Sequence, residues 1–221
     1  MSVTPCLRNL FKSIPMRIFK PILCLSMLSS ASAQAAPLLI RVVDPAGHPV
    51  RDAVVSVLPA SGARPMRITQ RYQVSQRGLQ FHPFVSVVPA GAEVSFPNFD
   101  PTKHHVYSFS QARSFELKLF ARDQSRTVRF DRPGVVALGC NIHDRMSAFI
   151  AVAASNWTAV TGPDGTIRFA DLPGGPARLS VWHPYLRAPG NQVDQALGPN
   201  VPAVKVMVRL RPPPMHAMAD Y

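Results

Sequence analysis

The residues with the clearest chemistry lie in one short segment, Gly139-Cys140-Asn141-Ile142-His143-Asp144-Arg145-Met146. It supplies a thiolate, an imidazole and a thioether at the end of an apolar run. A site of one Cys, two His and a weakly bound thioether is trigonal with a long axial bond, and it suits a metal that cycles between Cu(I) and Cu(II). The spacing therefore predicts a copper site with Cys140, His143 and Met146 among its ligands.

The missing second imidazole can come from the segment Lys103-His104-His105-Val106, if a distant strand lies beside the strand that carries Cys140. Neighbouring side chains on a strand point to opposite faces, so only one of the two histidines can readily be a ligand. The residues alone leave His104 and His105 both open.

An upstream His in an H-x-V setting, followed by a terminal C-x2-H-xn-M loop, resembles the cupredoxins, which are small blue copper proteins. The short C-x2-H-x2-M loop looks like that of amicyanin. The longer strings Phe96-Pro97-Asn98-Phe99-Asp100, 104–110 and 139–146 resemble the cupredoxin-type methylamine utilization protein family. This resemblance implies a Greek-key β-sandwich, a type 1 copper centre and electron transfer.

Related cupredoxins read H-N-V at the upstream histidine, which aligns their ligand with His104 and puts His105 at the position of their Asn. The resemblance therefore favours His104 as the ligand, with His105 holding the ligand loop by hydrogen bonds. One departure is Gly139, because many cupredoxins carry an aromatic residue just before the Cys strand ends.

Residues 1–36 predict a secretory signal peptide, since a basic start and the apolar run 21–28 precede Ala-x-Ala cleavage sites. The apolar run is far shorter than the roughly 20 residues of a membrane span, and no later run is long enough. We expect an exported, periplasmic protein. Cleavage removes Cys6 and Cys24, and a lone Cys140 in an oxidising compartment is protected best by a metal.

The formal net charge of the 221-residue chain is +12, and loss of the four signal-peptide cations leaves +8. Export makes nucleic acid an improbable partner for this charge. The charge instead favours an acidic redox partner in the cell envelope, where it would mainly speed encounter. The sequence does not indicate an oligomeric state.

A second pattern is divided between two distant parts of the chain. The string V-D-x-x-G-x-P-V-x-x-A-V-V at 43–55 and the strings T-x-x-D-G at 161–165 and L-P-x-G at 172–175 resemble carboxypeptidase-regulatory-like domains, which are transthyretin-like β-sandwiches. The copper pattern lies between them, and loop tips tolerate insertions. We therefore predict a first hairpin at 37–60, an inserted cupredoxin domain at 64–153, the rest of the outer domain at 155–211 and a disordered tail at 212–221.

The fold class expected for both parts is all-β. Short apolar or alternating runs are separated by Pro, Gly and Asp, and no run has helical periodicity. The 23 prolines agree, because Pro is accepted at strand edges and in turns. The predicted strands span 38–43, 53–58, 67–70, 81–88, 92–96, 105–109, 115–120, 127–130 and 135–138.

The residues for hydrolytic or phosphoryl chemistry are missing, since no Ser/His/Asp array, paired carboxylates or phosphate loop stands out. We predict a one-electron carrier that is not an enzyme. The alternative is a non-enzymatic copper-binding accessory protein, or one that docks a partner or a glycan. A copper enzyme ranks third, because the H-x-H pairs common in multicopper oxidases and nitrite reductases are missing.

Overall fold

The computed structural model describes residues 36–212. The predicted signal peptide and C-terminal tail, apart from Ala36 and Pro212, lie outside the described residues. Within the described range, no helix is long and apolar enough to cross a membrane.

The described residues form seventeen strands and a single 3-10 turn, Pro189–Asn191. The first two strands are β1 (Ala36–Val43) and β2 (Val54–Pro59). Ten strands follow: β3 (Tyr72–Gln73), β4 (Ser75–Arg77), β5 (Gln80–His82), β6 (Val85–Pro89), β7 (Ala92–Pro97), β8 (His104–Ser110), β9 (Arg113–Phe120), β10 (Ser125–Phe130), β11 (Gly134–Cys140) and β12 (Ser147–Ala153). The last five are β13 (Thr158–Val160), β14 (Thr166–Leu172), β15 (Ala177–Trp182), β16 (Gln192–Leu197) and β17 (Ala203–Met207). The predicted all-β class is confirmed.

Strands β1, β2 and β13–β17 form what we call the flanking sandwich. One sheet has the order β14-β1-β17 and the other β13-β2-β15-β16. Strand β1 therefore pairs with β14 and β17, and β2 pairs with β13 and β15, although the central strands separate these partners in sequence. Burial alternates along β1, where Leu38, Ile40 and Val42 face the core and Leu39 faces solvent. The shared core includes Val55, Val57, Leu179 and Val181 from the second sheet.

Both the backbone conformation and the close packing at Gly165, in the turn before β14, require a glycine. Its φ is +68°, and a Cβ there would lie 2.6 Å from the carbonyl oxygen of Val42 and 2.9 Å from the amide nitrogen of Val50. The Gly165 carbonyl also accepts a hydrogen bond of 2.8 Å from the Val42 amide. Only glycine fits this left-handed, crowded position without strain.

Strands β3–β12 form the central sandwich. A three-stranded sheet, β10-β7-β3, faces a five-stranded sheet, β6-β12-β11-β8-β9, and a small ribbon of β4 and β5 lies beside them. The core between the sheets contains Val94 and Phe96 from β7, Phe130 from β10, and Val136 and Ile150 from the other sheet. Inward residues alternate with outward ones along β7 and β8, as a sheet with one buried face requires.

A third, smaller apolar cluster joins strands of the two sandwiches. It includes Val54 and Trp182 from the flanking sandwich, and Val85 and Ala151 from the central one. The rings of Phe149 and Trp182 meet edge to face with centroids 5.5 Å apart.

Most predicted strands lie within one to three residues of observed ones, but two predictions need correction. Residues 67–70 are in no strand. The predicted strand 81–88 is two strands, β5 and β6, interrupted at Pro83 and Phe84, because proline cannot donate a ladder hydrogen bond. Strand β12, which follows Met146, is missing from the predicted set, although its run Ser-Ala-Phe-Ile-Ala-Val-Ala is apolar.

Candidate metal centre

Cys140 is the last residue of β11, and the loop 141–146 connects it to β12. The hairpin register pairs Gly139 with Ser147, so the two ends of this loop are held side by side. Within the loop the Met146 amide donates to the His143 carbonyl, and the Asn141 amide donates to the His105 carbonyl of β8. The compact loop brings the Nδ1 atom of half-buried His143 to 3.7 Å from Cys140 Sγ.

His104 is the first residue of β8, which pairs antiparallel with β11 so that Cys140 is opposite Val106. Burial alternates along β8, and His104 lies on the inward face with no solvent exposure. Its Nδ1 atom lies 3.7 Å from Cys140 Sγ, and its ring centroid is 5.0 Å from that of His143. The three donors therefore come together from two strands and one loop.

Asp100 holds the other side of the His104 ring. Its Oδ2 atom is 2.8 Å from His104 Nε2, and its oxygens accept hydrogen bonds from the backbone amides of Gly78 and Leu79. A carboxylate beside Nε2 keeps the proton on that nitrogen, so the lone pair of the neutral ring is on Nδ1 and faces Cys140.

Burial and hydrogen bonding act in opposite directions on the pKa values of His104 and Asp100. Burial lowers the pKa of His104, although the hydrogen bond and charge of Asp100 act to raise it. Burial acts to raise the pKa of Asp100, but hydrogen bonds from His104, Leu79 and Gly78 outweigh it and the pKa is lowered. The result is an ionised acceptor next to a neutral imidazole, which is the form that binds a metal.

His105 lies on the opposite face of β8. Its Nε2 atom is 2.8 Å from Glu116 Oε1 on the neighbouring strand β9. The side chain therefore points away from Cys140, and the group of close donor atoms in the described residues consists of His104, Cys140 and His143.

Met146 is buried in the central core and directly precedes β12. Its backbone amide closes the loop at the His143 carbonyl with a distance of 3.0 Å. The residue thus lies next to the donor group in the chain and in the same core as Cys140.

The three donors fit a metal ion. A metal with bonds of about 2.0–2.3 Å to nitrogen and sulfur, at angles of about 110–120°, has these ligand atoms about 3.6–3.8 Å apart. The two observed sulfur-to-nitrogen distances of 3.7 Å match. The set of one thiolate and two imidazoles suits copper.

Asp100 is a site residue that the ligand spacing does not reveal. The available signal is a carboxylate four residues before His104, within the Phe96-Pro97-Asn98-Phe99-Asp100 string. Asn98 supports it, since the Asn98 Oδ1 atom accepts from the Asp100 amide and its Nδ2 atom donates to the Thr102 and Phe120 carbonyls.

Comparisons with known proteins give structural likenesses only. No family model matches the chain, and no curated protein matches it. Among solved structures, a Cu-containing nitrite reductase (NirK) from Thermus scotoductus is 22% identical over 43% of this chain, with a TM-score of 0.36. The likeness spans only 27% of the nitrite reductase chain.

Two small proteins match over nearly their whole length. A purple cupredoxin from Nitrosopumilus maritimus is 17% identical, with 37% of this chain and 99% of that chain covered and a TM-score of 0.34. An amicyanin from Paracoccus versutus is 15% identical, with 44% and 98% covered and a TM-score of 0.35. The function proposed below rests on this chain's own residues.

Proposed function

We propose that this protein is a mononuclear type 1 copper protein that carries single electrons. The observation that supports this most directly is the position of Cys140 Sγ at 3.7 Å from Nδ1 of both His104 and His143. Copper bound by these atoms would supply a one-electron couple. His104, Cys140 and His143 would hold it strongly, with Met146 as a weaker thioether ligand.

The surrounding residues would keep the donor positions nearly constant. Asp100 fixes the His104 ring through a charge-assisted hydrogen bond, and two backbone amides fix Asp100 in turn. The Asn141 amide ties the ligand loop to β8. A site held in this way needs little rearrangement when its charge changes.

A carrier fits the access to the site better than an enzyme does. His104 is fully buried and Cys140 is 4% exposed, so a substrate could approach only from the half-buried side of His143. Electrons can pass through an exposed ligand edge, whereas substrate turnover needs an open coordination position. We therefore propose a protein that is not an enzyme.

We further propose that the protein is exported to the periplasm and meets an acidic redox protein of the cell envelope. The supports are the signal-peptide pattern of residues 1–36 and the net charge of +8 without it. Membership of the methylamine utilization protein family stays a prediction from the sequence strings.

The domain division is also a proposal: a transthyretin-like domain of residues 37–60 and 155–211, with a copper domain of 64–153 inserted in it. The pairing of β1 with β14 and β17, and of β2 with β13 and β15, supports it. So does the separation of the two large cores.

The test is the visible spectrum of the mature protein loaded with Cu(II), before and after ascorbate. We expect a strong sulfur-to-copper band that ascorbate bleaches and reoxidation restores. Cys140→Ser should abolish the band entirely, because charge transfer needs the thiolate sulfur.

A protein that binds copper but stays colourless would contradict the electron-carrier proposal and would favour the accessory role in copper handling. A coloured Cys140→Ser variant would mean that the ligand set is wrong. Equilibrium copper binding of both proteins, measured in parallel, distinguishes loss of colour from loss of metal.

A further inference from the structure

A cavity of about 510 Å³ lies at one end of the flanking sandwich, in the part of the chain remote in sequence from the metal donors. Three segments meet there: the turn after β1, the segment after β15 and the segment after β17. Its charged and polar lining consists of Asp44, Arg51, His183, Arg187 and Arg209. Its size is within the usual range of small-molecule sites.

Arg187 and Arg209 are held next to each other by their backbones. The Arg187 amide donates to the Arg209 carbonyl with a distance of 2.8 Å, and Leu186 and Leu210 form a β-bridge beside them. Within residues 36–212 neither guanidinium is paired with a carboxylate. Two positive groups with free donors therefore line one wall.

Asp44, the acidic residue of the lining, already has hydrogen-bond partners. Oδ1 of Asp44 accepts from the Ala46 and His48 amides, and its Oδ2 atom is 3.1 Å from His48 Nδ1. Arg51 is bonded to Asp52 at 3.0 Å, so it contributes less to the cavity than the other two arginines.

His183 adds a donor on a largely buried ring. It is 5% exposed, and its Nδ1 atom accepts a hydrogen bond of 3.2 Å from the Tyr185 amide. Burial lowers its pKa to about 4, so the ring is neutral at pH 7. A neutral ring that accepts at Nδ1 carries its proton on Nε2. In the described part of the chain no protein group accepts a hydrogen bond from this N–H, and His183 lines the cavity, so the donor is available to a ligand there.

We propose that this cavity binds a small organic oxyanion, with the oxygens held by Arg187, Arg209 and His183. Arginine forks match the planar oxygens of a carboxylate and the tetrahedral oxygens of a phosphate ester. Pro49, Val50 and Leu210 form an apolar part of the lining, which suits a ligand with a hydrocarbon group attached to its charged end. The site is independent of copper.

Titration with benzoate and with phenyl phosphate at constant ionic strength tests this, because the two probes present the same ring with a carboxylate or a phosphate. We expect saturable binding of one probe per chain in calorimetry, and the tighter probe identifies the preferred oxyanion. Arg187→Gln and Arg209→Gln should each weaken binding about tenfold or more, the effect of a lost hydrogen bond to a charged group. Arg132→Gln makes the same charge change on an exposed loop of the central sandwich and should leave binding unchanged.

A second readout is the side-chain N–H resonance of His183 in a nitrogen-proton spectrum, which should shift on titration in the unmodified protein and saturate with the calorimetric curve. The proposal would be overturned if neither probe bound saturably at concentrations up to about 10 mM. So would equal weakening by all three arginine variants, since that is the behaviour of a general attraction to a basic surface. A His183 resonance that does not move would also exclude the site.

Discussion

Each sandwich buries one histidine within the described residues, and the surroundings of the two rings are opposite. His104 of the central sandwich gives its Nε2 proton to the Asp100 carboxylate, so its Nδ1 lone pair faces Cys140. His183 of the flanking sandwich uses its Nδ1 lone pair to accept from the Tyr185 amide, so its N–H is left over. The partner of His104 therefore leaves a ring nitrogen with a free lone pair, and the partner of His183 leaves a ring with a free N–H.

The largest effect is expected from a substitution in the flanking core, which tests whether the stability of the flanking sandwich is independent of the metal site. Ile40→Ala removes a fully buried side chain from the flanking core and should lower the free energy of unfolding by roughly 2–5 kcal/mol. Leu39→Ala, one residue earlier but 41% exposed, is the matched control and should cost far less. Both are measured by denaturant unfolding.

Under native conditions the visible copper band of Ile40→Ala should equal that of the parent protein, since the metal donors belong to the other core. A band that is lost before any unfolding would show that the two sandwiches do not act as separate units.

The His183 ring predicts an acid limb in the stability curve. Its pKa is about 4 in the folded protein because of burial, against an ordinary value of 6.5, so the unfolded chain binds the proton more tightly. The contribution is complete above about pH 6.5 and is lost as pH falls to about 4, a change of about 3 kcal/mol. The charged groups lining the same cavity are Asp44, Arg51, Arg187 and Arg209.

His183→Asn keeps an acceptor for the Tyr185 amide and removes the titration. Its unfolding free energy, followed by chemical denaturation from pH 7 to pH 4, should therefore fall by less than that of the parent. Parallel curves for the two proteins would disprove the assignment.

Asp100→Asn tests the partner of the other histidine. Loss of an outer hydrogen-bonding partner of a metal ligand typically weakens metal affinity about 10–100-fold. Loss of its negative charge should also raise the reduction potential, because the carboxylate stabilises the more positive oxidised site. Copper affinity and voltammetry measure the two effects, and Asp131→Asn, an exposed carboxylate paired with Arg129, is the control.

Met146→Leu should give the smallest change. The variant keeps the thiolate and both imidazoles, so some of the visible band remains, while loss of the weak thioether raises the reduction potential. Complete loss of colour would mean that Met146 is needed to form the copper site and does not only adjust its reduction potential. Voltammetry of this variant and of Asp100→Asn shows which substitution changes the reduction potential more.

Spacing along the chain predicted the candidate metal donors that lie close together in sequence. Cys140, His143 and Met146 belong to one six-residue loop with its flanking strand ends, and the geometry of such a loop is local. Short alternating runs likewise determined the all-β class and the positions of most strands, because the two-residue period of a strand can be read from the residues themselves.

The tertiary structure decided which residues distant in sequence lie beside the loop, although the family resemblance had already favoured His104. The pairing of β8 with β9 and β11 places the His104 ring beside Cys140 and the His105 ring beside Glu116. The turn Gly78–Leu79 reaches Asp100 only because the ribbon of β4 and β5 lies beside β7. The cavity around His183 requires three segments far apart in sequence. The physical reason is that periodicity and spacing are properties of neighbouring residues. Register and burial depend instead on which apolar faces, far apart in sequence, are buried against each other.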